Sequence, residues 1–239
     1  MAKEADAATR LMEAIKGFLN HSQNVAHVGD AWAKVFNINK SEKPRIYGML
    51  AELLDQADIV ESAIRSRTNL KPEKLLSSFP SMRKAFSPQN YNENPNEFRQ
   101  LFGEPLLTQL DLCSDEMQKE TVLEPATLDD IRASIDALFQ SLKEADLSSY
   151  LRLALLDLVI TMRRAVDQYE VRGLKGLKMA FGLMLAELAS HHQEIKAKPD
   201  GPWKTALLSL ANKFKSAIET GSNMATVIEF VPFASELLK

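Results

Sequence analysis

Cysteine is almost missing from this chain. Cys113 is the only one in 239 residues, so no intrachain disulfide can form and a reducing compartment is expected. It follows Leu110 and Leu112 and has no histidine within ten residues, so a packed thiol is expected there, not a nucleophile. Glycine and proline are scarce too, at 9 and 10 residues, which argues against a turn-rich all-β fold. No apolar run approaches the ~18 residues of a membrane-spanning helix. The opening Met1-Ala2-Lys3-Glu4-Ala5-Asp6 lacks the apolar stretch of a signal peptide, so a cytoplasmic location is expected. With 29 basic against 32 acidic residues and a net charge of -3, neither half of the chain carries the surplus of cations that marks a nucleic-acid binder.

Several chemistries are missing along with these residues. Four histidines, His21, His27, His191 and His192, include no Glu-x-x-His pair of the kind that places two metal ligands on one helix face. Glu187 and His191 share a face, but they supply too few ligands for a metal site. No arginine stands four to six residues before a histidine, and no His-Asp pair occurs, so helical nuclease and metal phosphohydrolase chemistries find no support. Gly173-Leu174-Lys175-Gly176 lacks the length and the terminal Lys-Ser/Thr of a phosphate loop. Asp129-Asp130 reads as a carboxylate pair serving a helix dipole. No cofactor is expected.

What the sequence has is helical periodicity. Ile46, Met49, Leu50, Leu53, Leu54, Ala57, Val60 and Ile64 repeat at intervals of three and four, and so do Leu151, Ala154, Leu155, Leu158, Val159, Met162, Ala165, Val166 and Tyr169. The stretch from Asp6 to Phe36 gives one bent helix or two. Pro80 breaks the helix signal over Lys71 to Phe86, and Ser87 to Asn96 is a loop rich in Asn and Pro. Thr127 with Asp129 and Asp130 marks a helix start. Gly173 ends a helix over Tyr150 to Arg172 in a left-handed conformation. The expectation is an all-α fold, a bundle of about nine helices in one domain or two lobes, residues 1–119 and 120–239.

Two surfaces are candidates for function. Arg163, Arg164, Arg172, Lys175 and Lys178 surround the Gly173 turn, where free amides at a helix start could hold a nucleotide or another anion; a solvated polar face is the plainer reading. Trp203, Leu207, Leu210, Phe214 and Ile218 form an amphipathic stripe, and Met224, Val227, Ile228, Phe230, Val231 and Phe233 follow it. These are core, or they meet another protein chain, with Trp203, Phe214, Val227, Phe230 and Phe233 as the contact residues.

Around Tyr169-x-Val171-x-Gly173, the segment Leu128 to Phe181 resembles uncharacterised all-helical bacterial proteins in which an aromatic-x-aliphatic-x-Gly sequence closes one helix before the next. Some of those proteins appear near defence genes. The resemblance implies an accessory or regulatory protein of a bacterial defence or stress module and no catalytic residue. The expectation is therefore a non-enzymatic protein acting through protein contacts, with a helical anion sensor as the alternative and an enzyme of an unrecognised helical class third.

Overall fold

A computed structural model describes residues 3–222. The expectations for Val227, Phe230 and Phe233 lie outside the described residues. The chain divides into two compact units, Ala5–Lys119 and Met1–Glu4 with Glu120–Lys239. Both are helical. The strand residues among those described are the short pair β1 (Glu4–Ala5) and β2 (Glu120–Thr121).

In the first unit α1 (Ala7–His21) is the central helix, packing on α2 (Val28–Val35), α3 (Lys43–Arg65) and α7 (Glu104–Asp115). Asp6 starts α1 by accepting the Thr9 amide at 2.9 Å, and its second oxygen accepts the Ser114 hydroxyl at 2.6 Å. One carboxylate thus caps α1 and fixes α7 to it. The core is aromatic. Phe18 lies 4.7 Å from Trp32 and 5.2 Å from Phe102 between ring centroids, and Phe86 meets both Trp32 and Phe102. The stretch from Asp6 to Phe36 is two helices with a tight turn, Ser22–Asn24, between them.

The prolines act where helices begin. α4 (Pro72–Leu75) stops before α5 (Phe79–Ala85), and Pro80 falls in the first turn of α5, where its missing N–H costs no bond. Arg83 on α5 joins α3 through Asp58 at 2.5 Å and Glu61 at 2.8 Å. Burial works against the Arg83 charge, but its two carboxylate bonds outweigh that and hold the guanidinium above its ordinary value. Hydrogen bonds from Arg65 and Arg83 hold Glu61 below its own.

The Asn-rich segment before α6 (Pro95–Leu101) has a defined task. No side chain caps α2, and the segment supplies the acceptors: Val28 N–H donates to the Glu93 carbonyl at 3.0 Å and Gly29 N–H to that of Tyr91 at 2.8 Å. A Cβ on Gly29 would come within 2.3 Å of the Tyr91 ring, so only glycine permits the approach. The Tyr91 hydroxyl in turn donates to the Lys40 carbonyl at 2.9 Å.

The second unit is a ring of four helices, α8 (Pro125–Glu144), α9 (Ser149–Asp167), α10 (Tyr169–Ser190) and α12 (Pro202–Gly221). α9 packs between α8 and α10, and α12 closes the ring against α10 and α8. The short α11 (His192–Ala197) lies between α10 and α12 in sequence. Leu138, Leu155, Met162, Leu177, Met184, Leu207 and Phe214 meet in its core. α8 starts earlier than Thr127 suggests: Glu124 is the cap residue and Pro125 opens the helix, its fixed φ already helical. α9 likewise ends at Asp167, not at Arg172, because Gln168 closes it and opens α10.

Cys113 is fully buried on α7. Burial first, and the Asp6 charge second, push its thiol from 9.0 up to about 11. The unfolded chain therefore ionises at Cys113 before the folded chain does, and the stability this group contributes is complete below pH 9 and lost as the pH rises toward 11. Denaturation of the wild type and of Cys113→Ala across that range should show the wild type losing more stability, by up to ~3 kcal/mol at ~1.4 kcal/mol per unit. Parallel curves would show that the thiol is not shielded.

Candidate functional site

The Tyr169 to Gly176 segment is where the sequence concentrates its unusual residues, and the structure gives each of them a local task. Gly173 has φ 60° and ψ -152° inside α10. The φ is positive, as expected, but the ψ falls outside the left-handed helical region, in space that side chains other than hydrogen avoid. The helix breaks there and resumes at Leu174.

The segment around β2 holds the break on both sides. Leu123 N–H donates to the buried Tyr169 hydroxyl at 2.9 Å, and Leu174 N–H donates to Glu120 Oε1 at 3.1 Å. Beyond the break Leu174 meets the end of α12, where a Cβ on Gly221 would lie 2.5 Å from Leu174 Cδ1. The helix-start amide that could have received an external anion thus binds the chain's own carboxylate.

Two of the five basic residues are engaged within the chain. Arg163 turns toward α8 and pairs with Asp136. Arg172 runs along its own helix, with Nη1 3.4 Å from Gln168 Oε1 and Nη2 3.5 Å from Met179 Sδ. Arg164, Lys175 and Lys178 are exposed. Asp129 and Asp130, the acidic pair, bond Arg132 at 2.7 Å and Lys213 at 2.6 Å, the latter tying α8 to α12.

Trp203 and Phe214 are core residues, 4% and 0% exposed, so neither presents a contact surface. The stripe they belong to is the inner face of α12. His191 is nearly buried at the end of α10, its Nε2 3.1 Å from Glu187 Oε1 and its ring 5.1 Å from Tyr150. Among the described residues no group of three His, Cys, Asp or Glu side chains could hold a metal ion.

A different surface carries exposed apolar side chains. Tyr150, Leu153 and Ile160 on α9 and Met179 and Leu183 on α10 are large apolar side chains left 50% to 72% exposed. Tyr150 at the start of α9 meets His191 just past the end of α10, their ring centroids 5.1 Å apart, and the two helices pack on one another. From Met179 to Ser190 the exposed positions of α10 are Met179, Gly182, Leu183, Ala186, Ala189 and Ser190. None of these is charged, while Glu187 between them has a side chain 40% exposed and reaches His191, and a Cβ built on Gly182 meets nothing within 4 Å. On α9 Asp157 interrupts the row. The signal was legible: Leu153 and Ile160 each stand two residues, about 200° of helix, from the buried Leu151 and Leu158.

This arrangement defines a two-unit all-α protein whose C-terminal unit is a four-helix ring with exposed apolar side chains on α9 and α10. No protein-family model matches the chain, and no curated protein or solved structure matches it either.

Gly173→Val should destabilise the chain by ~1–3 kcal/mol, the scale of a side chain forced into a sparsely allowed conformation. Tyr169→Phe should cost ~1–3 kcal/mol, because it leaves the buried Leu123 N–H without its acceptor. Chemical denaturation checks both, and unchanged midpoints would remove the break from its structural role.

Proposed function

We propose that this is a non-enzymatic interaction protein, an accessory or regulatory chain that binds another protein through the outer face of α9 and α10. The observation that carries the reading is the row of Leu153, Ile160, Met179 and Leu183, exposed on two packed helices. Single exposed apolar residues are ordinary, but several on two helices that pack together mark a contact surface. Such a face suits the apolar side of a partner helix. The role in a bacterial defence or stress module, which the resemblance over Leu128 to Phe181 implies, belongs to the same proposal. Anion sensing draws less support, since Arg163 is paired with Asp136 and Glu120 accepts the Leu174 amide.

The face can be tested without disturbing the core. Ile160→Glu with Leu183→Glu should leave the melting behaviour within ~0.5 kcal/mol per site, as surface changes do. Affinity capture with quantitative mass spectrometry should then show partners held by the wild type and lost by the double variant. Identical sets of captured proteins would refute the assignment of the face.

A further inference from the structure

The outer side of α9 carries a regular seam. Tyr150, Leu153, Asp157, Ile160 and Arg164 are all exposed, and the steps between them alternate three and four, the period with which one helix lies along another. Tyr150, Leu153 and Ile160 give the seam its apolar surface. Asp167, the next position, is drawn to α8 by Arg132, 3.8 Å away.

Its charges are self-complementary. Asp157 and Arg164 stand one heptad apart, ~10 Å of helix, and among the described residues neither side chain has a hydrogen-bond or ion-pair partner. Ile160 lies between them, ~4.5 Å from the level of Asp157 and ~6 Å from that of Arg164. A second α9 running antiparallel about a two-fold axis at Ile160 therefore brings its Arg164 to within ~1.5 Å of the level of Asp157, and the symmetry makes the same pair again on the other side. A parallel copy would set Asp157 on Asp157 and Arg164 on Arg164, and like charges juxtaposed repel. Removing Leu153 and Ile160 from water supplies the gain, and the charge pairs select the orientation.

We propose, resting on the reading of this face as a contact surface, that its occupant is a second copy of this chain: α9 pairs antiparallel with α9 of the second copy, Ile160 lies on the two-fold axis, and Asp157 meets Arg164 of the second copy on either side of it.

Charge exchange in the full chain tests it. Sedimentation from ~1 to ~100 µM, the range suited to a small interface, should show the average mass of the wild type rising from one chain toward two. Asp157→Arg alone, or Arg164→Asp alone, sets like charges together at both symmetric places and should raise the dissociation constant about tenfold or more. The double variant Asp157→Arg, Arg164→Asp restores both pairs and should return the constant to within about threefold of the wild type. Mixing the two single variants should give a mixed dimer tighter than either forms alone, since one then carries only cations at the two positions and the other only anions. Both positions are exposed, and melting curves verify that each variant folds. A wild type that stays one chain at every concentration would overturn the proposal and leave the face to another protein or to the rest of its own chain. Dimers that the single variants leave intact, or that the double variant fails to restore, would overturn it as well. A single-chain wild type leaves the capture experiment to decide on a foreign partner, and a capture experiment without a foreign partner leaves the charge exchange to decide on the second copy.

Discussion

The C-terminal unit depends on one place where the backbone leaves helical space. At Gly173 the chain turns through φ 60° and ψ -152°, which frees an amide on the far side of the break and needs something to hold each arm. Glu120 takes the freed Leu174 amide, and the Tyr169 hydroxyl takes the Leu123 amide from the same connector. A buried donor left without an acceptor costs ~1–3 kcal/mol, so the two bonds and the bend sustain one another. Leu174, placed by the bend, is then what the Gly221 end of α12 packs against. Connector, bend and ring closure form one construction.

That construction bears on the role of the basic residues. A helix start next to Arg172, Lys175 and Lys178 has the field and the donors for an anion, and a carboxylate from the same chain already supplies one. Charge is used in the same way elsewhere: Asp130 with Lys213 and Asp136 with Arg163 join helices of the ring, and Arg83 joins α5 to α3. Partly exposed pairs of this kind contribute little energy each. What they do is use up side chains that a sequence reading offers to ligands.

The helical class was legible because burial imposes a period, and the stripes Ile46 to Ile64 and Leu151 to Tyr169 keep to it. Pro80 marked its break for a local steric reason that needs no tertiary knowledge. The errors lie where tertiary partners decide. Gln168 ends α9 although nothing in its chemistry forbids helix, and Glu124 starts α8 although Thr127 is the better capping side chain. The Asn-rich loop was visible as a loop, but not as the acceptor set for the amides of Val28 and Gly29, which requires knowing that α2 begins beside it.

The candidate surfaces show the same division more sharply. Trp203 and Phe214 are interface candidates in sequence because large apolar side chains dominate interfaces, yet such side chains dominate cores for the same reason, and a stripe with helical period cannot distinguish the two. The residues that carry surface information are the apolar ones out of phase with the stripe. Leu153 and Ile160 stand two positions from Leu151 and Leu158, so burying one pair in the ring directs the other pair outward. On α10 the same phase argument leaves Gly182, Leu183, Ala186 and Ala189 facing out with no charge among them. An ordinary solvated helix face would carry Lys or Glu at several of those positions, because each long charged side chain there costs little and keeps the surface soluble. The lack of a charged residue at those exposed positions of α10, more than the presence of any one side chain, is the observation from which the interaction reading is argued.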